Sequence, residues 1–103
     1  MIVFDVIKGR RSIRKFEKRL IEKKILQKLV KAGVWAPTGG NAQTWVFIII
    51  TDSNWIRKIK AVSPGILGIP SALIVVCQDK ELANKKDGEL GRDVSSIMDV
   101  AIN

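Results

Sequence analysis

Two short stretches hold the residue types best suited to chemistry. The first is Arg10-Arg11-Ser12-Ile13-Arg14-Lys15-Phe16. Arginine offers a planar fork of donors that stays charged, and it meets the acceptor oxygens of a phosphate two at a time. Ser12 adds a small hydroxyl that can approach closely. In an extended stretch, Arg10, Ser12 and Arg14 point the same way and can converge on one anion, while Arg11 and Ile13 face elsewhere. Taken alone, the stretch also reads as a basic turn on a solvated surface, or as a nucleic-acid patch. The second stretch is Ala36-Pro37-Thr38-Gly39-Gly40-Asn41-Ala42-Gln43-Thr44-Trp45. Its paired glycines let backbone amides come close to a ligand. Asn41 and Gln43 each carry a donor and an acceptor, which suits the edge of a flat, polar ring. Taken alone, it is equally an ordinary loop from helix to strand, with Trp45 in the core.

The surrounding pattern predicts the elements that hold these stretches. Residues 2–8 read as a short helix with Ile2, Val3, Val6 and Ile7 on one side and Gly9 as its stop. Residues 20–34 form an amphipathic helix: Ile21, Ile25, Leu26, Leu29, Val30, Gly33 and Val34 recur at helical spacing, and the lysines lie on the solvated side. Pro37 ends it by forcing Ala36 toward extended geometry. Residues 46–51 are rich in β-branched residues and apolar throughout, which predicts a strand covered on both faces. Asp52 or Ser53 caps a helix to about Lys60, with Trp55, Ile56 and Ile59 inward. Residues 63–70 are loop, and residues 71–77 a second buried strand. Residues 78–91 are a charged connection with some helix around 80–85. Residues 92–103 start another helix, with Val94, Ile97, Met98, Ala101 and Ile102 near one face. Trp35, Trp45 and Trp55 are expected in the core.

Composition narrows the function. The chain has 103 residues and a net charge of +8, unevenly spread: residues 1–60 carry +10 and residues 61–103 carry −2. A basic half points to an anionic partner such as nucleic acid, a membrane surface or a phosphorylated cofactor. No apolar run approaches the length needed to cross a bilayer. Residues 1–6 lack the features of a signal peptide, so the cytoplasm is the expected location. Cys77, the one cysteine, reads as a small core residue near the end of a strand. With no histidine, a zinc site is not expected, and a histidine-based triad is excluded.

The two stretches, in this order and at this spacing, resemble the amino-terminal half of the nitroreductase family. Its members begin with a short helix and an R-R-S-x-R-x-F segment. An amphipathic helix follows, then A-P-S/T-x-x-N-x-Q-P-W and a strand. The one motif departure is Thr44, where the family usually has proline. The resemblance implies a single partial domain over residues 1–103. Its fold would be α/β (α+β), a truncated nitroreductase-like fold with helices on a small, partly open sheet. The helix that stops mid-pattern at Asn103 agrees with such a truncation.

The resemblance further implies an FMN-dependent enzyme. Arg10, Arg11, Ser12 and Arg14 would serve the phosphate and ribityl chain. Pro37, Thr38, Gly39, Asn41 and Gln43 would reach the flavin across a homodimer interface. NADH or NADPH would donate hydride, and a nitroaromatic or quinone-like acceptor would take electrons in a ping-pong cycle, with no protein acid or base required. An open sheet edge implies self-association, with elements exchanged between copies. Two rival readings are a folded remnant that oligomerises without flavin and, with less in its favour, a small basic nucleic-acid binder.

Overall fold

A computed structural model describes residues 2–103, apart from the side chain of Asp87. Met1, which the reading of the first six residues included, lies outside the described residues. The elements run α1 (Val3–Gly9), α2 (Lys23–Val34), β1 (Trp45–Ile50), α3 (Ser53–Val62), β2 (Leu73–Gln78), α4 (Lys80–Leu90) and α5 (Ser96–Ile102). A 3₁₀ turn at Gly39–Asn41 lies between α2 and β1, and a π-helical turn at Gly91–Ser95 joins α4 to α5. This is a mixed α and β arrangement of the expected class.

β1 and β2 pair antiparallel, from Trp45 opposite Gln78 to Ile50 opposite Leu73. They form a two-stranded sheet, so among the described residues each strand keeps an open edge. Alternation along β1 separates two faces. Phe47, with Ile74 of β2, lines a groove shared with Leu29 and Gly33 of α2 and with Asn103. Val46 and Ile48 point the other way and are exposed. The expectation of strands covered on both faces therefore fails: β1 is exposed at Val46 and Ile48 on one face and only part-covered on the other, where Trp45 and Phe47 are half-buried and Ile49 is exposed, and β2 is half-buried along its length.

The helices start where local chemistry permits. Asp52 caps α3, its Oδ1 accepting from the amides of Asn54 (2.8 Å) and Trp55 (3.2 Å). Asp79 does the same for α4, accepting from the Leu82 amide at 3.0 Å. That cap extends helix through Leu90, so the stretch read as a charged connection is mostly helical. Gly88, at φ 63° and ψ −151°, breaks it near the end. α2 begins at Lys23, three residues later than expected.

Few side chains are fully covered. Leu26 of α2 is 3% exposed and Ile56 of α3 is 2% exposed, but Ile21, Ile25, Leu29 and Val34, expected on the core face of the same helical stretch as Leu26, are exposed because no described residue covers them. The α2 lysines 23, 24, 28 and 31 are solvated, as expected. By contrast, Val3, Phe4, Val6 and Ile7 of α1 are exposed. Trp35, at 88%, and Trp55 are exposed, against expectation; only Trp45 is half-buried, tilted against Phe47 at 5.5 Å. Lys58 Nζ lies 4.9 Å from the Trp55 ring centroid and takes the place of a core contact there. The described residues expose 8423 Å², against about 5,800 Å² for a typical folded monomer of this mass.

α5 is turned opposite to its predicted orientation. Val94, Ile97, Met98 and Ile102 are exposed, while Ser96 and Asp99 are buried. Ser96, Asp99 and Asn103 fall at i, i+3 and i+7, which is one face of the helix. That polar face is the one that packs inward.

Candidate functional site

The arginine stretch follows α1 and has neither helix nor strand from residue 10 to residue 22. Arg10 is extended, at φ −60° and ψ 134°. Its Nη1 donates to Ser12 Oγ at 3.1 Å, so these two side chains meet on one side as alternation predicts. Arg14 Nη1 donates to the Ser12 carbonyl at 3.3 Å. Arg11 turns back and donates to the carbonyls of Lys8 (2.7 Å) and Arg10 (2.9 Å), where a cation complements the end of α1. All four residues are exposed. Among the described residues the salt bridges are Arg19 with Glu17 and Arg92 with Asp93, so Arg10, Arg11 and Arg14 have no carboxylate partner. Their donors fit an anion with several acceptor oxygens.

One close approach holds the stretch against the rest of the chain. Gly68 has φ +75°, and a Cβ there would collide with the Arg14 carbonyl oxygen and press on Phe16. Ser71 Oγ donates to the Glu17 carbonyl at 3.2 Å.

The glycine-rich loop is built differently. Gly40 (φ 59°), Asn41 (φ 55°) and Gln43 (φ 53°) are all left-handed. Glycine and asparagine tolerate this readily, whereas Gln43 carries strain of about 1–2 kcal/mol. The amides of residues 41–43 are nonetheless satisfied. Asn41 N donates to the Thr38 carbonyl (3.0 Å) and Ala42 N to the Gly39 carbonyl (3.1 Å). Gln43 N donates to Thr38 Oγ1 (3.2 Å), and Gln43 Nε2 to Asn41 Oδ1 (3.0 Å). The last pairing leaves the Asn41 amide N–H groups and the Gln43 carbonyl as a neighbouring donor and acceptor, both on exposed residues. That donor set fits the alternating polar edge of a flavin's pyrimidine ring. Pro37 is exposed, and Thr38 and Gly39 are half-buried.

Sequence reasoning missed the groups that anchor this loop. Asp99 Oδ1 accepts from the Gly39 amide at 3.0 Å. Lys86 Nζ donates to the Ala42 carbonyl at 2.7 Å. Asn103 Nδ2 donates to the Gly33 carbonyl at 2.7 Å, tying α5 to the helix that feeds the loop. Ser96 Oγ bonds Gln78 Oε1 and the Arg92 carbonyl. Thr44, in the place where the family usually has proline, is buried, and its carbonyl accepts from the Asp79 amide at 2.7 Å. The signal that could have found α5's anchors was its polar stripe at 96, 99 and 103, masked by a broader apolar stripe. The Trp45 indole Nε1 is buried with no hydrogen bond among the described residues.

The structure brings Arg10, Ser12 and Arg14 together, and separately Thr38, Asn41 and Gln43. Among the described residues no hydrogen bond joins the two groups.

Fold, loop and basic stretch together match one known protein family. The sequence model of the nitroreductase family matches residues 7–92, and the chain belongs to that family. An Archaeoglobus fulgidus relative, provisionally named an NADH dehydrogenase/NAD(P)H nitroreductase, is 40% identical over 80 residues, 76% of this chain and 46% of its own length. The chain spans about half the length of the curated relatives it matches first. A Clostridium acetobutylicum structure provisionally described as an NADH oxidase superposes with a TM-score of 0.73 at 30% identity, covering 95% of this chain and 60% of that one. A Desulfovibrio desulfuricans structure, provisionally a nitroreductase in complex with FMN, shares the fold at TM-score 0.70 and 23% identity, covering 97% of this chain and 60% of that one. Among the described residues no helix is long and apolar enough to cross a membrane.

Proposed function

We propose that this chain is the amino-terminal part, a single partial domain, of an FMN-dependent NAD(P)H oxidoreductase of nitroreductase type. It acts in the cytoplasm on a nitroaromatic or quinone-like acceptor. The observation that carries the reading is the set of guanidinium groups around Ser12, with no carboxylate partner among the described residues, in a chain of this family. Arg10, Ser12 and Arg14 hold the phosphate and ribityl chain, with Arg11 supporting from the end of α1. Pro37, Thr38, Gly39, Asn41 and Gln43 line the ring. When bound, FMN supplies the hydride and electron transfer. The chain's residues grip the anionic tail, orient the ring edge and set its polar surroundings.

The two groups of ligands belong to different copies in this reading. Each copy offers its arginine stretch to one flavin and its loop to another, as a homodimer or higher assembly. The uncovered apolar residues of α1 and α5 and the open strand edges support self-association. Sedimentation of the purified chain as a stable monomer would count against it.

Titration with FMN, followed by flavin fluorescence, tests the cofactor assignment. Saturable binding is expected, weakened about tenfold or more by Arg14→Ala through loss of a charged hydrogen bond to phosphate. A folded chain that binds no FMN favours the flavin-free remnant. Retention on DNA or RNA that falls with salt would favour the nucleic-acid binder.

A further inference from the structure

The most unusual group outside the proposed ligand set is a buried carboxylate. Asp99 is 4% exposed and sits in the middle of α5's inward face. Its neighbours on that face bond elsewhere: Ser96 reaches Gln78 of β2, and Asn103 reaches the end of α2. Asp99 alone reaches the glycine-rich loop, sixty residues away in sequence. We propose that Asp99 is a positioning residue: its carboxylate, accepting from the Gly39 amide, holds residues 38–43 in the conformation that presents Asn41 and Gln43 to a ligand.

Three observations converge on this role. Gly39 has no side chain, and a Cβ there would lie 3.1 Å from Ser95 Cβ in the turn that leads into α5, so a larger residue fits only if Ser95 gives by a few tenths of an ångström. The Gly39 amide is spent on Asp99, which makes this glycine an anchor. The loop also stores strain at Gln43, and a strained backbone persists only where its surroundings over-determine it. A charge-assisted bond at one end of the loop, with Lys86 on the Ala42 carbonyl toward the other, provides that constraint. The helix whose outer face is apolar thus carries, on its inner face, the restraint for the loop. The functional consequence rests on the reading of residues 37–43 as flavin ligands; the restraint itself does not.

The test measures Gly39 amide exchange by NMR in the 103-residue chain, without FMN, and then FMN affinity. Asp99→Ala is expected to speed Gly39 exchange about tenfold or more, and Asp99→Asn, which keeps an acceptor oxygen, to restore most of the protection. Ser96→Ala, on the same buried face, should leave Gly39 exchange in place. Unchanged Gly39 exchange in Asp99→Ala, or equal acceleration in Ser96→Ala, overturns the proposal. Where Asp99→Ala does not fold, Asp99→Asn decides: the Gly39 amide proton should shift upfield as its acceptor loses charge, and an unmoved resonance overturns the proposal. FMN affinity should fall severalfold with Asp99→Ala and be rescued by Asp99→Asn. A wild-type chain that binds no FMN speaks against the proposed function, and the Gly39 readout still decides the role of Asp99.

Discussion

The arginine stretch and the glycine-rich loop are both short and polar, yet the chain holds them in opposite ways. Side-chain bonds around residues 10–14 span at most three positions in sequence. None of the amides of residues 11–14 donates a hydrogen bond among the described residues. The loop is bonded internally and then fastened from α4 and α5 by groups 44 and 60 residues away. One half of the candidate site is therefore set before a ligand arrives. Under the proposed function, the other half gains its order from the phosphate it binds, at a cost in conformational entropy.

The largest effect is expected where the arginine stretch has its one tight contact. Gly68→Ala adds a Cβ against the Arg14 carbonyl at a left-handed position. It should destabilise the chain by about 2 kcal/mol or more, read by urea denaturation, and displace residues 14–16. Removal of Leu26 in the covered part of α2, as Leu26→Ala, should cost about 2 kcal/mol or slightly more without touching either ligand group; thermal unfolding reports it.

Two smaller changes separate grip from scaffold. Arg14→Ala should leave stability within about 0.5 kcal/mol, since the residue is exposed, while weakening FMN binding. Gln43→Gly should do the reverse at the other half. Relief of its positive φ should raise stability by up to about 1 kcal/mol, while the lost Nε2 bond to Asn41 weakens ring binding. A drop in stability on Gln43→Gly would mean that the strain assigned to the loop is absent.

The smallest effect concerns Arg92 and Asp93. Their two 2.7 Å contacts hold the Asp93 carboxyl below the ordinary aspartate range and the guanidinium above its own. A depressed carboxyl stabilises the fold above the unfolded pKa of about 4 and loses that contribution as pH falls through the folded value. Because the pair is exposed, the difference between wild type and Asp93→Asn should be slight at neutral pH, shrink under acid and fade with salt.

The same contrast explains what the sequence could tell. Local signals read well: the Asp52 cap, the helical periods of α2 and α3, the turn residues at 39–41, and the common side of Arg10 and Ser12. Each depends on neighbours in the chain. Signals that depend on distant partners read poorly. The β1 pattern says that both faces want cover, but cannot say whether cover is present at Val46 and Ile48. α5 is apolar on one side and polar on the other, and periodicity alone turns it the wrong way. Its true orientation follows from the bonds of Ser96, Asp99 and Asn103 to elements far off in sequence. Trp35 and Trp55 fail for the same reason: large apolar residues are inside only where something covers them.

The measurement that tests this contrast most directly is residue-resolved amide hydrogen exchange with and without FMN. Without FMN, residues 11–14 should exchange freely and residues 39, 41, 42 and 43 slowly. With FMN, the arginine stretch should gain protection of about tenfold or more while the loop changes little. A loop that is unprotected until FMN arrives, or an arginine stretch that FMN leaves unchanged, would contradict the account.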